Sequence, residues 1–216
     1  LAHRGVLFLD ELPEFPRNIL EALRQPLEAG AVHVARAKAA LTFPARFTLV
    51  AAMNPWPCGY FGDREKECRC TANEVFRYEK RISGPLLDRI DLQINVPRVP
   101  PEELLKKRGA HATEETERAR AAVSRARETQ RQRFQHIPRS IFTNAEITSK
   151  ECEAFIMLDA EGEAFLKNIL QENFISARGY YRILKTARTI ADLEGIEHVV
   201  KKHLAEAFSY RIRNGE

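Results

Sequence analysis

Gly5-Val6-Leu7-Phe8-Leu9-Asp10-Glu11-Leu12 decides how this chain is read. Four consecutive apolar residues follow a glycine and run into two carboxylates, the pattern of a strand buried on both faces that ends abruptly in charge. Such runs belong to parallel sheets covered by helices, where ligands bind just beyond the carboxyl ends of the strands. Asp10 and Glu11 are therefore expected at a ligand edge. An Asp there can hold Mg²⁺ through its water shell, and the neighbouring Glu can polarise a water for attack on a γ-phosphate. A strand that merely ends in a polar turn fits the eight residues equally, so residues further along the chain must separate the two.

Arg46 to Met53 is a second buried-strand candidate, and it ends in Asn54-Pro55. An amide at a strand's carboxyl end, beside the carboxylates of a neighbouring strand, can orient a water against a phosphate. Taken alone, Asn before Pro is turn chemistry. Between the two strands, residues 14–28 read as one helix. Ile19, Leu20, Leu23 and Leu27 recur at helical spacing, Pro16 suits the first turn and Gly30 stops it. Val32–Arg36 and Leu41–Ala45 form two short alternating runs of a β-hairpin, with Arg36 and Lys38 at a basic tip. That tip is either solvated or a contact for a nucleic acid backbone, where each cation adds counterion release.

The loop after Asn54 carries Cys58, Cys68 and Cys70. Their Cys-x9-Cys-x-Cys spacing is no standard zinc-finger pattern, and structural zinc normally takes four ligands. Zinc ligation and reduced, unligated thiols both remain open. A helix capped by Thr71 or Asn73 is expected to run to Ile82. A strand over Leu92, Ile94 and Val96 comes next, closed by Pro97. Arg89, flanked by Asp88 and Asp91, makes either a local surface pair or a fork presented to a neighbouring subunit's nucleotide. From Thr113 to Gln135 the chain is nearly all charge and Ala, a long exposed helix with a thin stripe of Ala119, Ala122, Val123 and Ala126. The last third is helical. Ser176 caps a helix that ends at Gly195, and Arg178 sits in its first turn, where the dipole disfavours a cation.

The 216 residues are 44% hydrophobic and 30% charged, with a formal net charge of +4. That composition suits a folded protein able to touch nucleic acid without demanding it. No apolar run is long enough to span a bilayer. The start at Leu1, five residues ahead of a buried strand, reads as the interior of a longer chain.

Together these segments resemble the magnesium-chelatase-like AAA+ ATPases, most closely their ComM-type branch. GVLFLDELPEF (residues 5–15) is similar to the family's Walker B strand, and LVAAMNP (49–55) to its sensor-1 strand. RYEKRISGPLLDRIDL (77–92) is similar to the arginine-finger region, and ISARGYYRILKTARTIADLEG (175–195) to the sensor-2 helix of the lid. The resemblance implies that Asp10 holds Mg²⁺ and Glu11 is the catalytic base. It further implies that Asn54 is sensor 1, Arg89 a finger acting in trans, and Arg178 sensor 2. The Lys38 hairpin is similar to the pre-sensor-1 hairpin that minichromosome-maintenance helicases point into a DNA channel. The helix from Thr113 resembles the extra helix this clade inserts before its lid.

The expected fold is an α/β, incomplete AAA+ parallel-sheet core followed by an all-helical lid. Residues 1–98 would form the second half of the core, 99–138 the linker and charged helix, and 139–216 the lid. The implied cofactors are ATP and Mg²⁺, the implied partners DNA and further copies in a hexamer, and the implied setting the cytoplasm, away from membranes. The implied work is branch migration during recombination of incoming DNA. No G-x-x-x-x-G-K-[ST] occurs in the 216 residues. A P-loop is thus expected upstream of Leu1, and this segment alone is expected to hydrolyse ATP poorly. The rival readings are a motor subunit of a metal chelatase and a non-catalytic binding module stabilised by zinc.

Overall fold

The computed structural model describes residues 2–36, 39–60, 66–100, 110–172 and 175–211. They form two units, Leu1–Ile90 and Asp91–Glu216.

The first unit opens with β1 (Val6–Leu9) and a 3-10 turn at Leu12–Glu14. Helices α1 (Arg17–Ala22) and α2 (Arg24–Ala29) come next, then β2 (Ala31–Arg36), β3 (Ala39–Pro44) and β4 (Thr48–Ala51). Helices α3 (Ala72–Glu79) and α4 (Gly84–Leu87) complete it. The single helix expected over 14–28 is two, broken at Leu23. Pro26 lacks the N–H that would reach back one turn, so the ladder restarts rather than continues. Gly30 closes α2 in the left-handed region at φ 65°.

β1 and β4 pair in parallel, with Val6 opposite Thr48 through to Leu9 opposite Ala51. β2 and β3 form the expected antiparallel hairpin. Lys38 at its tip lies outside the described residues, and Arg36 is described only as the backbone that ends β2. The expectation that β1 is buried on both faces is not met within this chain. Val6 and Phe8 are 63% and 59% exposed, and only the other face is partly covered. Burial is concentrated under the 3-10 turn, where Leu12, Leu20, Ile82 and Leu86 pack together with Leu9, Phe15, Leu23, Leu27 and Leu87 around them.

In the second unit, the strand expected over Leu92–Val96 does not form. Its residues run as irregular chain, and Ile94 and Val96 are exposed. Gln93 makes one backbone bond, to Tyr210 at 2.8 Å, but among the described residues no strand pairs with the segment, and alternation alone does not hold one. The charged segment folds into one helix, α5 (Ala110–Phe134). Its buried positions are Ala126, Gln130 and Phe134, four apart, whereas Val123 of the expected stripe is exposed. A 3-10 turn at Asn144–Glu146 leads to α6 (Ser149–Phe155), α7 (Ala160–Glu172), α8 (Ala177–Glu194) and α9 (Lys201–Ser209). The short helix expected to open at Thr143–Ile147 begins a few residues later as α6, where Thr148 and Glu151 form a reciprocal capping box. Ser176 caps α8 as expected, accepting the Gly179 N–H at 3.1 Å, and Gly195 ends it at φ 74°.

A polar knot lies inside this helical unit. Asp192 is buried and accepts from both terminal nitrogens of Arg133 at 2.9 and 2.5 Å, from Asn144 at 2.7 Å and from Arg188 Nε at 3.1 Å. Arg188, 2% exposed, also donates to the carbonyls of Ile196 and Glu197. Every charge in the knot is paired or hydrogen-bonded, the condition on which buried ions are tolerated. Among the described residues no helix is long and apolar enough to cross a membrane.

Candidate functional site

The parallel register gives the site its geometry. Because β1 and β4 run the same way, their carboxyl ends share one edge, and the residues after each strand emerge side by side. The backbone continues the pairing beyond the strands: Ala52 donates to Leu9 at 2.9 Å, and Leu12 donates back to Ala52 at 2.9 Å. Asp10 and Glu11 occupy one side of this crossing, with Asn54 two residues beyond it on the other. All three are exposed.

Glu11 has an unusual backbone. Its φ of 50° and ψ of 49° lie in the left-handed region, which L residues other than Asn and Asp avoid. Its N–H folds onto the Asp10 carboxylate at 3.0 Å. Strained non-glycine residues of this kind persist where surrounding structure over-determines them, and they concentrate at functional sites. Here the strain turns the chain sharply out of β1 and leaves two carboxylates displayed in succession. Two such oxygen donors suit a hard divalent cation such as Mg²⁺.

Asn54 is held from α3. Tyr78, buried under the loop, donates its hydroxyl to the Asn54 carbonyl at 2.9 Å. Burial, then the nearby Glu14 carboxylate, raise the phenol above its ordinary value, so it stays a protonated donor. Gly59, at φ 73°, lies against the Asn54 side-chain amide, where an added Cβ would make ordinary contact at 3.7 Å. Arg81, one turn beyond Tyr78, bonds the Glu14 carboxylate at 2.6 Å and so ties the end of α3 to the turn carrying Glu11. The sequence reading did not single out Tyr78. A tyrosine in a charged helix gives no local sign that it will close on an asparagine 24 residues earlier.

Arg89 is not a surface residue. It is buried, pairs with Glu28 of α2, and donates to the Pro85 carbonyl at 2.6 Å. Glu28 lies 61 residues away in sequence and reaches Arg89 through the fold. Arg178, in the second unit, is exposed in the first turn of α8.

The thiols also converge. The sulfurs of Cys58, Cys68 and Cys70 all lie within 4.8 Å of one another, with Cys58 and Cys68 at 3.4 Å. The Tyr60 N–H points at the Cys58 sulfur at 3.4 Å and lowers that thiol's pKa. Hydrogen bonding to Cys58 together with burial pushes Cys70 up to about 11. Cys152 is buried in the second unit.

Two family models match the chain in succession. The one for magnesium chelatase, subunit ChlI, covers residues 1–104, and the one for the ChlI C-terminal part covers 113–211. The competence protein ComM of Haemophilus influenzae is 46% identical over 211 residues, 98% of this chain and 40% of that protein. The uncharacterized protein YifB of Escherichia coli is 43% identical over the same length, and its counterpart in Salmonella typhimurium 40%. The chain therefore spans about 40% of the length of the curated relatives it matches.

Proposed function

The chain belongs to the magnesium-chelatase ChlI family, and on that premise we propose that it is part of an oligomeric AAA+ ATPase whose hydrolysis drives movement on DNA. What supports the reading is the parallel register that brings the ends of β1 and β4 to one edge. Bound ATP with Mg²⁺ supplies the phosphoanhydride and its charge-neutralising ion. Asp10 offers the carboxylate for that ion. Glu11 accepts a proton from water as the water oxygen bonds the γ-phosphorus and the bridging oxygen leaves with ADP. The Asn54 amide fixes the water's direction of approach, and Tyr78 holds the Asn54 backbone still. Arg89 of an adjacent subunit meets charge developing on the phosphoryl oxygens, and Arg178 has the sensor-2 role of its helix. Arg36 and Lys38 carry DNA contact at the hairpin tip, through phosphate charge rather than base edges.

DNA as the load is supported by the 46% identity to a protein named for competence. The magnesium-chelatase description of the family models supports a second reading, a motor that drives metal insertion into a porphyrin. In a protein that carries this chain together with a nucleotide-binding P-loop, Glu11→Gln abolishes ATP turnover while nucleotide still binds, and unchanged turnover refutes the assignment. Arg36→Ala with Lys38→Ala lowers DNA affinity and flattens its salt dependence by roughly one unit per cation lost. Unaltered binding with the same slope would favour the metal-inserting motor.

A further inference from the structure

We propose that Cys58, Cys68 and Cys70 hold one structural zinc ion, which staples the loop after Asn54 to the start of α3. The geometry carries this. Zinc takes thiolates at about 2.3 Å in a tetrahedron, which sets sulfur–sulfur edges near ~3.8 Å. The three sulfurs fall within 4.8 Å of one another, and the Cys58–Cys68 separation of 3.4 Å is far beyond a covalent S–S bond. Cys58 and Cys68 are ten residues apart along the chain, yet their sulfurs lie within contact distance. A soft donor set selects zinc over magnesium or calcium, whose ligands are oxygens. On binding, each thiol gives its proton to solvent and its sulfur lone pair to the ion, and no oxidant enters the step. The Tyr60 N–H directed at the Cys58 sulfur is the kind of outer contact that orients a metal-bound thiolate.

The ion's place in the fold explains what it does. Cys58 lies four residues after Asn54, and Gly59 rests on the Asn54 amide. Cys70 immediately precedes Thr71, whose side chain and backbone form the capping box of α3. The same helix carries Tyr78 to the Asn54 carbonyl. Zinc thus ties Cys58, beside the glycine that rests on Asn54, to the start of the helix that carries Tyr78. This site is independent of the ATPase reading, since its loss would leave the sheet-edge carboxylates as they are.

The test is made on the purified chain under reducing, anaerobic conditions. Elemental analysis finds one zinc per chain. X-ray absorption counts three sulfur neighbours and one lighter donor. Cobalt(II) added to the stripped protein gives thiolate charge-transfer bands with tetrahedral intensity. Cys68→Ser weakens zinc retention against a chelator at least tenfold, while Cys152→Ser leaves it unchanged. Should Cys68→Ser fail to fold, the cobalt titration of the wild-type chain decides alone. A wild-type chain that holds no zinc, shows no cobalt–thiolate band and titrates Cys58, Cys68 and Cys70 freely overturns the proposal. So does a Cys58–Cys68 disulfide found by mass spectrometry in protein isolated under those conditions.

Discussion

The left-handed backbone at Glu11 separates the demands of stability from those of chemistry, and two substitutions expose the difference. An L residue in this conformation costs roughly 1–2 kcal/mol, a penalty that glycine escapes. Glycine's freer unfolded chain returns roughly 0.5–1 kcal/mol of that gain. Glu11→Gly is therefore expected to be more stable than Glu11→Ala by about 0.5–1 kcal/mol. At a residue with ordinary φ, glycine would be the less stable of the two by a similar amount. The sign, rather than the size, is the result to read. Urea denaturation followed by the fluorescence of Trp56 suits the measurement, because this single tryptophan belongs to the first unit. On the proposed ATPase reading both variants should also abolish ATP turnover, so the stabilising change and the inactivating change coincide. If Glu11→Gly proves less stable than Glu11→Ala, the strained turn out of β1 is refuted as the device that displays the two carboxylates.

Two further substitutions test the supports of each unit. Tyr78→Phe keeps the ring in its pocket and removes only the hydroxyl bonded to Asn54. It should cost about 1 kcal/mol in urea denaturation yet lower ATP turnover by tenfold or more, with nucleotide affinity nearly unchanged. Turnover that fell only as far as the folded fraction would make Tyr78 a purely structural residue. Asp192→Asn leaves the Arg188 guanidinium, 2% exposed, without its counter-charge, and should destabilise the helical unit by about 3–5 kcal/mol, read by circular dichroism during denaturation. The same carboxylate predicts a pH response. Burial would raise its pKa, but the hydrogen bonds from Arg133 and Asn144 outweigh that and hold it below the ordinary 3.8. A depressed carboxylate contributes stability above its unfolded pKa, and that contribution is lost as pH falls through the lower folded value. The helical unit should therefore weaken as pH drops below about 3.8, and the Asp192→Asn variant should lack that part of the decline.

Elements with local signals were legible in the sequence. Ser176 and Gly195 bracket α8 through capping chemistry that needs nothing from the rest of the chain, and the apolar run before Asp10 announced β1. The β2–β3 hairpin showed itself by alternation around a short tip. What stayed hidden depends on distant partners. Pro26 splits α1 from α2, a break that helical periodicity averages over. Leu92–Val96 alternates like a strand but pairs with no strand among the described residues, so pattern alone overstated it. In the candidate site, residue types at strand ends pointed to Asp10, Glu11 and Asn54, whereas the Tyr78 contact and the Glu28–Arg89 pair arise only when segments far apart in sequence meet. The three thiols were visible as a cluster, but their convergence required the loop's path.

The Glu28–Arg89 pair bears on how rings of such subunits would behave. A guanidinium already neutralised at home reaches a neighbour's phosphate only by exchanging one anion for another. What is released at the new contact is reduced by what the old one was worth. Association would then be feeble between empty subunits and firm between loaded ones, with nucleotide serving as the adhesive and departure of phosphate as the signal to let go. One carboxylate on α2 would set that threshold.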